Sequence, residues 1–436
     1  MSAKASSLLL YLVLILITSC YALETLIQLP AGKIQGREQQ SREGRKIASF
    51  EGVPYAAKPE RWLPPQPVAP WGNTLDCSKP GPMCLQTDIM TDTMNTTIGS
   101  EDCLTMNIFT TNTSTVANLP VIVFLHGGGM IAGTGWYYGG HFLVDHGVIA
   151  ITLNYRLDIL GFFSLDTPRI SGNQALRDIQ LGLRWVQDNI QYFGGDKDRV
   201  VLSGQSGGSW ATSMIYASPL SESLLSGAIF QSGVVVGPLG YPVDTREEAL
   251  YKSKILAQEF GCYSQDTAWN PETVEQCLRE KPAEEILRIG TETHVSWASS
   301  GVIDTFSEHG AVLPLPLEDI LQGAQFQQVP LMVGTMSNEE LLFAPEELAD
   351  PSILDTYNDD AVWTRVALFQ MLPQKDVLNF TDSCDERYAL QAKDFYFGEQ
   401  LSSEDLIPYL LFGSDVKFGC GTNKWLDLDL TSDLLN

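Results

Sequence analysis

Asp198-Arg199-Val200-Val201-Leu202-Ser203-Gly204-Gln205-Ser206-Gly207-Gly208-Ser209-Trp210 couples a short apolar run to a serine set between glycines. Val200, Val201 and Leu202 suit a strand buried on both faces, and the run breaks at once into a G-x-S-x-G turn. The glycines two residues either side of Ser206 let backbones approach where a side chain would clash, so the spacing predicts a strained strand-to-helix elbow. Such a turn lifts the Ser206 hydroxyl clear of the sheet. It also sets that hydroxyl at a helix N-terminus, where free N–H groups favour developing negative charge.

The segments around the elbow repeat one pattern. Leu176, Ile179, Leu183, Val186 and Ile190 recur at helical spacing, which predicts one apolar helix face across residues 176–193, stopped by Gly194-Gly195. Strands are expected at Val121–Leu125, running into His126-Gly127-Gly128-Gly129, and at Val148–Leu153, followed by Asn154-Tyr155-Arg156-Leu157. Two more are expected at Ala228–Phe230, before Gln231-Ser232-Gly233, and at Pro330–Val333, before Gly334. Alternating strands and helices imply an α/β fold with a mostly parallel, helix-covered sheet whose reactive groups gather at the strands' carboxyl ends. Gly32–Gly36 and Phe50–Tyr55 read as shorter strands with turns before a proline-rich stretch from Pro64 to Gly72. No repeat or linker interrupts residues 23–436, which are expected to form one domain.

Composition narrows the function classes. The chain has 436 residues, 44% of them hydrophobic, and 53 acidic against 27 basic residues, for a formal charge of -26. That balance opposes nucleic acid and anionic membranes as partners. Lys4 precedes an apolar run from Leu8 to Ile17 that is too short to span a bilayer, with Ala22 as a cleavage point, so residues 1–22 read as a signal peptide. No later segment reads as transmembrane, and a secreted protein is expected. Sequons at Asn95, Asn112 and Asn379 fit that route as glycosylation sites. The sequence carries no signal for oligomeric state.

In an exported chain the eight cysteines read as disulfides rather than as a metal site, and neither a metal nor a cofactor is expected. Cys84 and Cys103 bracket one short polar loop, and Cys262 and Cys277 bracket another. Each closure is worth about 3 kcal/mol on the chain-entropy account. Cys77 and Cys384 are left without an assigned partner.

Taken in order, these motifs resemble the type-B carboxylesterase and cholinesterase family of the α/β-hydrolase fold. The resemblance rests on Phe50–Tyr55, Ser100-Glu101-Asp102-Cys103-Leu104, the His126 glycine run, Gly172-Asn173 through Gly208, Gln231-Ser232-Gly233 and Val329–Glu339. It implies that Ser206 is the nucleophile and that Gly128, Gly129 and Gly207 supply the N–H donors of an oxyanion hole. It also implies that Glu339, rather than Glu340, orients a histidine.

The resemblance then departs. The histidines are His126, His141, His146, His294 and His309, and none of the 97 residues after Glu339 is one. The family pattern implies a base further along than residue 436, and a partner there for Cys420 as well, so the chain is expected to lack the family's C-terminal portion. His126 is expected to support the glycine run, and the other four fall in loops. Gln205 stands where the family commonly has glutamate.

Three functions stay open: a serine carboxylesterase with little activity in this chain, a catalytically silent recognition ectodomain, or a scavenger that is acylated by esters without turnover. The substrate implied is a small carboxylic ester. Choline esters are not expected, because residues 85–102 hold no aromatic side chain where the family's cholinesterases place a tryptophan.

Overall fold

The strand behind the elbow has neighbours on both sides, in a sheet of eight strands among the described residues. The computed structural model describes residues 23–88, 96–235, 243–292, 301–323, 326–339, 349–358, 383–397 and 406–414. The expected signal peptide, Asn95, Asn379, His294, Glu340 and Cys420 lie outside those residues. The sheet's strands are β1 (Arg37–Gln40), β2 (Lys46–Pro54), β3 (Thr105–Thr110), β4 (Leu119–Leu125), β5 (Ile149–Leu153), β6 (Gly195–Gln205), β7 (Gly227–Gln231) and β8 (Leu331–Gly334). Their order across the sheet is β8-β7-β6-β4-β5-β3-β2-β1. Strands β5, β4, β6, β7 and β8 run parallel, and β3, β2 and β1 add antiparallel pairs at one side. This is the mostly parallel sheet of an α/β-hydrolase.

The strands bury because their residues are apolar on the helix-covered face. Val121, Val123 and Leu125 of β4, Leu202 of β6 and Phe230 of β7 are fully buried. Three helices matter for the site: α1 (Asp158–Phe162), α2 (Gln174–Asn189) and α3 (Gly207–Ala217). The α2 stripe of Leu176, Ile179, Leu183 and Val186 is buried throughout. Burial of each such side chain contributes about 1.5–3 kcal/mol. The α-helix ends at Asn189, earlier than the spacing suggested, and Ile190–Phe193 continues as a 3₁₀ turn. The reason is local: Gly194, at φ 82°, turns its N–H back to the carbonyls of Ile190 and Gln191, which tightens the last turn.

Disulfides join Cys84 to Cys103 and Cys262 to Cys277. Cys77 is a free, buried thiol whose pKa burial pushes up to about 12, which keeps it protonated and inert. Among the described residues no helix is long and apolar enough to cross a membrane.

Candidate active site

The carboxyl ends of the five parallel strands share one edge of the sheet. Register pairs Gly204 with Leu125, Gln205 with Gln231, and Gln231 with Gly334. The residues that follow these strands, His126 to Gly129, Ser206, Ser232 and the loop to Glu339, therefore emerge side by side.

Ser206 takes φ 54° and ψ −124°, a region an L-residue holds only when its surroundings over-determine it. Here they do. Its N–H donates to Gln231 O at 2.8 Å, and its carbonyl accepts from Ser209 and Trp210 N–H at 2.7 and 3.0 Å. Ser206 occupies the N-cap of α3, yet its side chain makes no capping bond. A serine kept only for helix capping would use its hydroxyl on the helix. This one holds a strained backbone and leaves Oγ without a protein partner among the described residues.

The glycine turn after β4 lies against the elbow. A Cβ on Gly207 would stand 2.7 Å from Gly129 N and 2.6 Å from Met130 N, so only glycine permits that approach. Gly128 and Gly129 take φ of 108° and 63°, and their N–H groups find no acceptor among the described residues. The Gly207 N–H, at the start of α3, lies against the same turn.

Three aromatic side chains hold this turn in place. The His126 ring, fully buried and stacked on Tyr155 with centroids 4.5 Å apart, donates from Nδ1 to Gly127 O at 2.9 Å. Burial lowers its pKa to about 4, so the ring is neutral near pH 7 and that Nδ1 carries the proton. The Tyr155 hydroxyl donates to His126 O at 2.8 Å, and Gly127 N–H donates to the Tyr138 hydroxyl at 3.3 Å. Sequence reading did not single out Tyr138 or Tyr155 for this task. These contacts cross 11 and 29 residues of chain and have no local signature.

Asp158 is a second residue without a sequence signal. It takes φ 52°, and its N–H donates to Met130 O at 2.8 Å, one residue beyond Gly129. Burial raises its carboxyl pKa to about 7.

The remaining candidates make no hydrogen bond to this cluster among the described residues. Glu339 is half-buried on the loop after β8, and its Oε1 accepts from Met336 N–H at 2.7 Å within its own loop. No described histidine hydrogen-bonds Ser206. His141 lies tilted against Phe109, His146 is exposed, and His309 lies beside Glu308 with its pKa lowered by burial and by Arg177. Asn112 is half-buried, and its side-chain oxygen accepts from Ser114 N–H at 2.9 Å.

A sequence profile described as the Carboxylesterase family matches residues 23–428. Esterase E4 of Myzus persicae is 31% identical over 91% of this chain and 71% of its own length. Juvenile hormone esterase of Tribolium castaneum is 30% identical over 84% of this chain and 63% of its own length, so the chain spans under two thirds of that relative. Among solved structures, juvenile hormone esterase of Manduca sexta, with OTFP covalently attached, superposes with a TM-score of 0.78 at 28% identity. That match covers 94% of this chain and 76% of the other.

Proposed function

The chain belongs to the carboxylesterase family, and from that premise we propose that Ser206 takes the acyl group of a small, uncharged carboxylic ester. Ser206 Oγ attacks the ester carbonyl carbon, and its oxygen gathers negative charge at the Gly128, Gly129 and Gly207 N–H groups. The bond to the alcohol then breaks, the proton from Oγ leaves with that alcohol, and water later releases the acid. One observation carries this reading: a strained serine whose hydroxyl does nothing for the fold, beside a glycine turn whose Gly128 and Gly129 N–H groups have no acceptor among the described residues. Glu339 is the proposed acid of a triad, acting through an imidazole.

Turnover by this chain is expected to be slow. Loss of one triad member elsewhere costs about 10⁴- to 10⁶-fold in kcat, and no described histidine bonds Ser206. The oxyanion site and binding alone are worth roughly 10³–10⁴ over water, a floor to which Ser206 adds acylation by an activated ester. Incubation with p-nitrophenyl acetate should release nitrophenol in a burst that Ser206→Ala removes, followed by slow hydrolysis. Equal release by the two proteins overturns the proposal.

A second reading, a recognition ectodomain without chemistry, is favoured by the Glu339 carboxylate, which bonds its own loop. Absence of a Ser206-dependent burst supports it. A burst with no later hydrolysis supports the scavenger. Residues 23–436 are proposed as one exported domain after a signal peptide at 1–22, with glycans at Asn95, Asn112 and Asn379. The two disulfides support export.

A further inference from the structure

The glycine turn after β4 is gripped at both ends. At the near end His126 and Tyr138 hold the carbonyl and the N–H of Gly127. At the far end Met130, the residue after Gly129, is held by Asp158, whose N–H donates to Met130 O at 2.8 Å. Asp158 opens α1, which is fixed in the core: Ile159, Leu160 and Phe162 are buried, and the Trp62 indole N–H donates to Ile159 O at 3.2 Å. Between the two grips the Gly128 and Gly129 N–H groups have no acceptor among the described residues.

Both residues of the far grip are left-handed, Met130 at φ 59° and Asp158 at φ 52°. An L-residue takes that region only where its surroundings over-determine it, and such outliers gather at working sites. Nothing in α1 itself asks for one, because the first residue of a helix ordinarily has helical angles. Aspartate suits the position, since its side chain can bond the neighbouring backbone, and a carboxyl oxygen of Asp158 accepts from Ile159 N–H.

We propose that Asp158 is a positioning residue for acylation: its left-handed backbone fixes Met130, and through Met130 it sets where the Gly128 and Gly129 N–H groups meet the oxygen of the reacting carbonyl. This inference rests on the acylation of Ser206 proposed above.

The test compares p-nitrophenyl acetate with its sulfur analogue, p-nitrophenyl thionoacetate, on the full chain. In each reaction a bond forms from Ser206 Oγ to the carbonyl or thiocarbonyl carbon, the bond from that carbon to the nitrophenyl oxygen breaks, and nitrophenol leaves with the serine proton. Negative charge gathers on oxygen in one and on sulfur, a weak hydrogen-bond acceptor, in the other, so the first depends far more on well-placed N–H donors. Mass spectrometry of the Ser206 peptide gives both rates, each divided by the spontaneous hydrolysis of the same ester. Removal of one oxyanion donor outright costs about 10²–10³ in rate, so Asp158→Ala, which disfavours the left-handed angle, should lower the oxygen-to-sulfur ratio by about tenfold or more. Asp158→Gly and Asp158→Asn tolerate the angle and should keep the native ratio within about threefold. A purely structural role slows both esters together and leaves the ratio unchanged. That result in Asp158→Ala, or a ratio lost equally in Asp158→Gly, overturns the inference. If Asp158→Ala does not fold, Asp158→Ser, which keeps a local acceptor, takes its place with the same outcomes. A folded native chain in which neither ester modifies Ser206 gives a different signature: it removes the acylation reading, and this inference with it.

Discussion

The elbow between β6 and α3 and the loop after β8 carry the two proposed triad residues, yet they are built in opposite ways. Around Ser206 the backbone is enclosed. Cβ atoms on Gly204 and Gly208 would stand 2.1 and 2.2 Å from carbonyl oxygens of Gly208 and Leu125. At the other end of the same sheet edge, β8 has one neighbour strand among the described residues, alternates half-buried with exposed residues, and leaves Met332 and Met336 66% and 70% exposed. Ser206 is positioned by packing that the whole core maintains. Glu339 is positioned by a hydrogen bond within its own loop.

The largest effect should therefore come from one methyl group at the elbow. In Gly208→Ala the added Cβ meets Leu125 O, His126 O and Leu125 C, at 2.2, 2.6 and 2.7 Å. All three are backbone atoms where β4 runs into the oxyanion turn, and no rotamer relieves them. The expected cost is at least about 5 kcal/mol, enough to remove the cooperative unfolding transition of a domain with the usual margin. A denaturation curve for the variant within 1 kcal/mol of the native one, an estimate set well below that cost, breaks the comparison.

The same contrast explains what was readable beforehand. The α2 stripe from Leu176 to Val186 announces a buried helix because local spacing and burial coincide there. The G-x-S-x-G spacing announces the elbow because close backbone approach demands glycine. Nothing local announces Asp158. A carboxylate after Asn154-Tyr155-Arg156-Leu157 reads as an exposed loop residue, and only the bond from its N–H to Met130 O brings it to the oxyanion turn. The Tyr138 contact to Gly127 is tertiary in the same way. Glu339 is singled out in the sequence by the family resemblance alone, and its carboxylate's partner here, Met336 N–H, follows from the loop's conformation.

Asp158 gives an intermediate effect with a sign fixed by linkage. Burial raises its folded pKa to about 7, above the unfolded value near 3.9, so the folded chain holds a proton more tightly than the unfolded chain does. Stability from this residue is thus greatest below about pH 4, falls as pH rises through that window, and levels off above pH 7. Asp158→Asn keeps the shape without the charge. Urea unfolding should find the variant and the native chain alike at pH 4, with the variant more stable by up to about 4 kcal/mol at pH 8. A gap that is the same at both pH values shows that the carboxyl is solvated, and removes Asp158 from the enclosed side of the comparison.

The smallest effect should lie at the other end of the edge. Gly334 closes β8, and a Cβ there would meet no atom within 4 Å. Its φ is not among the positive values, and its carbonyl bond to Ser232 N–H, at 2.8 Å, does not depend on the side chain. In Gly334→Ala the folded state gains a methyl in open space, while the unfolded chain loses backbone freedom. The expected result is a stabilisation of about 0.5 kcal/mol. Modification of Ser206 should proceed at the native rate, because the elbow's bonds run through Gln231 O and not through this position. The measurement is sharpest as a pair with Gly208→Ala, since both add one methyl group at the same sheet edge. A loss of more than about 1.5 kcal/mol at Gly334 means that this edge is packed in solution, and that Glu339 rests on more than its own loop.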